Sequence, residues 1–309
     1  MSFKRRHFLL LFGLGGAAGA LTAHLKERWT GYPPSVTASP APPASQPLSP
    51  PDHQLLLRFV ALADTGSGDR NQDAVAQAMS RYLVRYPYQL AILAGDNIYN
   101  HGEIEKVKAV FEQPYAPLLR QGVKFRACLG NHDIRTQNGD PQVHYPGFGM
   151  AGRYYTFSEK GVQFFALDTN TNANWPDQLS WLEQQLSRSQ APWKIVFGHH
   201  PIYSAGFYGT DQTLVQRLTP LFQKYGVQLY INGHEHSYER TRSINGTTYL
   251  ITGIGGASLR QTGRREWTES ATSRFGFSAL EVYSDRLVIQ AIGTDNQVFD
   301  QGTIHRGRV

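Results

Sequence analysis

Two histidines one residue apart, His234 and His236, stand just after an apolar run at 227–231, and Gly233 lets the chain turn between run and pair. Four other segments have the same form. Asp64 follows 57–63, Asp96 and Tyr99 follow 90–94, Asn131 and His132 follow 123–129, and His199 and His200 follow 193–197. Taken one at a time these are ordinary residues, since Asp, Asn and Gly form turns after strands and most histidines ligate nothing. Together they supply two carboxylates, a carboxamide and several imidazoles, a mixed nitrogen and oxygen donor set. One metal ion needs about four to six such groups, and this set fills two shells if one carboxylate bridges.

Positioning them requires the apolar runs to be strands whose ends meet, because ligands of α/β proteins bind beyond the carboxyl ends of strands. The periodicity predicts strands at 57–63, 90–94, 123–129, 153–157, 162–167, 193–197 and 227–231. It predicts helices at 73–86, 103–120 (interrupted by Pro114 and Pro117), 175–186 and 211–225. A polar loop covers 135–152. After the histidine pair the pattern becomes strands alone, at 247–252, 277–283, 286–292 and 298–304, with Asn245-Gly246 as a tight hairpin turn. Alternating strands and helices followed by strands predict an α/β (α+β) fold in which two sheets pack together between helices.

The chain has 309 residues, of which 40% are hydrophobic, enough for one large domain. Its net charge is +6; Lys4, Arg5 and Arg6 contribute three, leaving +3 (6 − 3) without the leader, which argues against a nucleic-acid partner. The lone cysteine, Cys128, excludes an intramolecular disulfide and a cysteine-rich metal site, and reads as a buried small hydrophobe. Residues 1–23 run from basic to apolar to small, the order of a signal peptide, and Arg5-Arg6 resembles a twin-arginine signal. Export to the periplasm or outside the cell is expected, with an uncleaved amino-terminal anchor as the alternative. Residues 24–54 form a Pro/Ser/Ala-rich linker, and 55–309 the catalytic domain, expected to be a monomer without a membrane span.

The five segments resemble those of the calcineurin-like metallophosphoesterases and, through Tyr99 three residues after Asp96, the purple acid phosphatases of the small, tartrate-resistant type. The resemblance runs from about Arg58 to Ala257 and includes Gly95-Asp96-Asn97 and Tyr225-Gly226-Val227. It implies a four-layer αββα sandwich with two mixed sheets. It implies ferric iron on Asp64, Tyr99 and His236, and a divalent iron, zinc or manganese on Asn131, His199 and His234, with Asp96 shared. A phenol with a pKa of about 10 binds as phenolate in acid only to a strongly polarising ion, which favours Fe(III) there. The implied reaction is hydrolysis of small phosphate monoesters by a metal-bound hydroxide. A phosphodiesterase or nucleotide hydrolase, a silent phosphate-binding protein and redox chemistry at the iron pair are the alternatives.

His132 is the family's outer histidine, for leaving-group protonation or phosphate binding. Asp133 either orients it or is a turn residue. The second outer histidine of mammalian-like relatives is missing: Tyr208 stands about there and would bind substrate or line the cleft. His200 would contact substrate or pack behind the site. His144 has no placement, and 253–256 reads as a tight turn near the cleft.

Overall fold

In the computed structural model, which describes residues 54–306, thirteen strands form two sheets. The first has the order β13 (Val298–His305), β12 (Arg286–Gly293), β11 (Gly276–Tyr283), β1 (Leu55–Leu62), β2 (Leu90–Ala94) and β3 (Lys124–Cys128). The second runs β10 (Thr268–Thr272), β8 (Tyr238–Thr241), β9 (Thr248–Thr252), β7 (Leu229–Asn232), β6 (Trp193–Phe197), β5 (Val162–Ala166) and β4 (Tyr155–Glu159). Parallel pairing joins β1, β2 and β3, and separately β5, β6, β7 and β9, so each sheet is mixed.

Alternation along β1 shows how the layers arise. Leu57, Phe59 and Ala61 enter a core shared with Phe164, Trp193, Phe197 and Leu250 of the other sheet; Phe59 meets Phe164 edge to face at 5.2 Å. Val60 and Leu62 face the opposite way, onto Val75, Met79 and Leu83 of α1 (Arg70–Arg85) and Leu118 of α2 (Ala116–Arg120). The outer face of the second sheet packs Val196 and Tyr230 against Leu182 and Leu186 of the helix Trp175–Arg188 and Leu214, Leu218 and Phe222 of the helix Gln212–Tyr225. α3 (Asp140–His144) precedes α4 (Trp175–Arg188) and α5 (Gln212–Tyr225). Three apolar layers between four layers of elements make the expected αββα sandwich.

The helix ends carry their signals. Asp69 caps α1 by accepting from Asn71 and Gln72 N–H, and Asp211 caps α5 from Thr213 and Leu214 N–H. Asn245 and Gly246, at φ +50° and +89°, make the tight turn between β8 and β9. Three expectations change. The 103–120 stretch is helical and interrupted as expected, but in pieces that are not one regular helix, namely a 3-10 turn, a π-helical turn (Lys108–Glu112) and the short α2, because Pro114 lacks a donor and Pro117 suits only the first turn of a new helix. The 135–152 loop holds α3 and short 3-10 turns. Strands β8 and β10 were not expected. The leader and most of the linker lie outside the described residues, among which no helix is long and apolar enough to cross a membrane.

Candidate metal centre

The carboxyl ends of β1, β2, β3, β6 and β7 bring Asp64, Asp96, Tyr99, Asn131, His199, His234 and His236 to one place. Asp64 and Asp96 are buried, and each has one oxygen held by a backbone N–H of a neighbouring loop. His234 N donates to Asp64 Oδ2 at 2.9 Å, and His132 N donates to Asp96 Oδ1 at 2.9 Å. The free oxygens point inward. Asp64 Oδ1 lies 3.0 Å from Tyr99 Oη and 3.3 Å from His236 Nε2. Asp96 Oδ2 lies 2.9 Å from Tyr99 Oη and 3.4 Å from His199 Nε2, so this one atom stands between two groups of donors.

The imidazoles are set from behind. His199 Nδ1 donates to Ala94 O and His236 Nδ1 donates to Ser258 O, both at 2.8–2.9 Å, which leaves each Nε2 facing the centre. Asn131 Oδ1 is 3.1 Å from His199 Nε2. Asp64, Asp96, His234 and His236 all have positive φ, between +49° and +70°, a region that costs a non-glycine residue about 1–3 kcal/mol and recurs at functional sites. Packing is tight enough to demand glycine at two neighbours. A Cβ at Gly95 would lie 2.5 Å from the His199 ring, and one at Gly130 would collide with Asp96 Oδ1.

These residues fit cations. The Tyr99 hydroxyl has one proton, yet two carboxylate oxygens and His236 Nε2 lie within 3.1 Å of its oxygen, so lone pairs face one another unless a positive charge sits among them. Burial, then the charges of Asp64 and Asp96, push the phenol far above its ordinary pKa. Asp64, Asp96 and His236 form one group whose ligand atoms are close enough to hold an ion, and His199, His200 and His234 form another. Burial, then His199 and His200, push His234 down to about 2, so it presents a neutral ring.

His200 differs from its neighbours. Thr169 Oγ1 already accepts from the N–H groups of His199 and His200, so its own proton is directed to His200 Nδ1, 2.9 Å away. Burial, then His199, push this imidazole down to about 3; it is neutral, and its remaining proton is assigned to Nε2. That geometry suits a hydrogen-bond donor better than a ligand. Tyr208 stacks on His234 with centroids 4.1 Å apart, and Arg260 lies over the Tyr208 ring while donating to His234 O at 2.8 Å.

One expectation is corrected. Asp133 does not orient His132. Its buried carboxylate accepts from the N–H of Asn97, Ile98 and Gly130 and from the amides of Asn97 and Gln142, tying together the loops after β2 and β3. His132 Nδ1 instead donates to Asn100 O at 2.8 Å, while its Nε2 lies 3.4 Å from Arg135 Nη2 and 4.0 Å from Asp96 Oδ2. His144 stays outside, bonded within its own helix. The sequence reading misses Arg135 and Arg260, and it assigns Asp168-Thr169-Asn170 to a loop that shapes the fold. A basic residue on a polar loop gives no signal of its own, whereas Thr169 stood after a strand like the ligand candidates. Tyr99, His132, His236, Lys106 and Arg260 line a cleft of about 440 Å³; a larger cavity of about 1110 Å³, lined by Lys194, Arg242 and Arg306, contains none of the candidate ligands.

A two-sheet sandwich that gathers carboxylates and imidazoles at its strand ends has the donor set of a metal-dependent hydrolase. The calcineurin-like phosphoesterase family model matches residues 57–238, more than half of the chain, and the chain belongs to that family. Its curated relatives include purple acid phosphatases and tartrate-resistant acid phosphatases. Purple acid phosphatase 7 of Arabidopsis thaliana is 30% identical over 236 residues, 66% of this chain and 71% of the relative. Tartrate-resistant acid phosphatase type 5 of Homo sapiens is 27% identical over 237 residues, 64% and 73% of the two chains. The fold matches the purple acid phosphatase PPD1 of yellow lupin seeds (TM-score 0.69, 21% identity, 81% of this chain and 54% of that one). It also matches GAP50, described as the anchor in the inner membrane complex of Plasmodium (TM-score 0.71, 21% identity, 82% and 90%). These homologues imply a dinuclear metal centre.

Proposed function

We propose that the chain is an exported acid phosphatase that hydrolyses small phosphate monoesters at two metal ions. Asp64, Tyr99 and His236 would hold Fe(III), and Asn131, His199 and His234 a divalent iron, zinc or manganese, with Asp96 shared. The observation that carries the reading is the position of Asp96 Oδ2, 2.9 Å from the phenol of one group and 3.4 Å from an imidazole of the other. When bound, such an ion pair neutralises phosphate oxygens and makes a hydroxide nucleophile available in mild acid.

The rest is done by the chain's own side chains. His200 Nε2–H donates to a phosphate oxygen, an orientation fixed by Thr169. His132, held at Nδ1 by Asn100 O, turns Nε2 toward the leaving oxygen and, once protonated to imidazolium, donates the Nε2 proton to it. Tyr208 covers His234 from the solvent side. Residues 1–23 act as a twin-arginine signal and 24–54 as a spacer ahead of the catalytic domain, 55–309. Metal analysis with a visible spectrum tests the assignment on protein from its native compartment. Two ions per chain, one of them iron, with a tyrosinate-to-iron band are expected; fully loaded protein without a visible band contradicts it. Faster turnover of para-nitrophenyl phosphate than of its bis-ester is expected, and the reverse order would make the chain a phosphodiesterase.

A further inference from the structure

Glu235 lies between the paired histidines, yet its side chain points away from the candidate metal centre. It is 1% exposed, and no cation among the described residues forms an ion pair with it. Its carboxylate is instead wrapped by one loop. Ser204 Oγ donates to it at 2.7 Å, Phe207 N at 2.8 Å, Tyr208 N at 2.9 Å and Gly209 N at 3.2 Å. A Cβ at Gly206 would lie 2.5 Å from Glu235 Oε2, so glycine permits the close wrap. Glu239, four residues further on in β8, takes Ala205 N at 2.7 Å. A buried carboxylate is costly unless its lone pairs are filled, and here loop N–H groups fill them.

The loop so held carries two exposed rings at the mouth of the site. Phe207 is 78% exposed and Tyr208 50%, and they meet edge to face at 5.1 Å. Tyr208 stacks on His234 and also contacts the Arg260 guanidinium, 5.2 Å from its ring centroid. Exposed apolar rings on a loop ordered at its backbone are unusual unless something is received there. The turn bearing His234 and His236 has holds of its own: His234 N on Asp64, His234 O from Arg260, and Arg260 N on His236 O.

We propose that Glu235 is a positioning residue that keeps Tyr208 over His234, and that Tyr208 with Phe207 forms the surface that receives an aromatic or apolar leaving group. This specificity rests on the phosphatase reading above. The test uses full-length, metal-loaded protein, comparing Glu235→Ala and Tyr208→Ala with the native chain on phenyl phosphate and methyl phosphate. In both variants the ratio of kcat/KM for phenyl phosphate to that for methyl phosphate should fall about 10-fold. Metal content should not change. In Glu235→Ala the amides of 207–209 should exchange with deuterium at least about 10-fold faster. Unchanged exchange overturns the positioning role, as does loss of metal with equal loss on both esters. Unchanged discrimination in Tyr208→Ala, whose exposed ring can be removed without disturbing the core, overturns the leaving-group surface even if Glu235→Ala does not fold. If the native protein turns over neither ester, the phosphatase reading falls, and amide exchange still decides the clamp.

Discussion

On one side of Asp96 stand a carboxylate, a phenol and an imidazole, from Asp64, Tyr99 and His236; on the other stand a carboxamide and imidazoles, from Asn131, His199 and His234. The first group gathers negative charge. Burial and two carboxylates resist ionisation of the Tyr99 phenol, so only a strongly polarising ion would draw off its proton. The second group holds no phenol and no carboxylate of its own: burial and its histidine neighbours push His234 down to about 2, whereas at His199 burial is outweighed by Asp96, which raises it to about 9. One fold end thus offers two environments within a few side chains of each other. The difference is chemical, since each half is set by hydrogen bonds to backbone groups just behind it.

Removing the shared atom should erase the comparison. Asp96→Asn is expected to reduce bound metal from two ions to one or fewer and to lower kcat/KM on the order of 10³-fold, checked by elemental analysis and steady-state kinetics. Tyr99→Phe should separate the halves: the visible band disappears, the ion on the Asn131 side stays, and activity falls by on the order of 10-fold. His200→Gln sharpens the line between donor and ligand. Both ions should remain while KM rises about 5-fold to 10-fold; loss of an ion would instead make His200 a ligand.

Asp300→Asn lies outside both halves and should have the smallest effect on turnover. Tyr238 Oη donates to Asp300 Oδ2 at 2.6 Å and Arg240 donates to both oxygens at 2.7 and 3.0 Å, which joins β8 to β13 across the two sheets. Burial alone would raise the Asp300 pKa, but the Arg240 and Tyr238 hydrogen bonds outweigh it and hold the group below the usual range. Its stabilisation is therefore present above about pH 4, the unfolded value, and is lost as pH falls through the lower folded value. Partly screened by solvent, it should be worth about 1–2 kcal/mol, so the variant should melt about 2–6 °C lower at pH 7. That gap should close in strong acid, with activity per folded molecule within about 2-fold of native.

The strand ends were legible in sequence because apolar runs followed by Gly, Asp, Asn or His mark both the element and its chemistry. What was not legible came from polar periodicity and long range. Strand β8 alternates with period two, but with polar side chains: Tyr238 and Arg240 go to Asp300, while Glu239 goes to Ala205 and Thr241 to Tyr249 N. Such a pattern reads as loop until its partners are known. Asp133 misled by adjacency. It follows His132 directly, but the 3-10 turn that starts there sends its carboxylate into the interior, away from the imidazole. Glu235 sat in view between two histidines with no sign that its partners were 26 to 31 residues upstream.

The most direct measurement is a crystal structure of protein from its native compartment, with anomalous scattering collected at the absorption edges of iron, zinc and manganese. The account predicts two peaks, one on either side of Asp96, with iron beside Tyr99 and the second ion beside Asn131, His199 and His234. A single peak, or two ions that do not share Asp96, would contradict it.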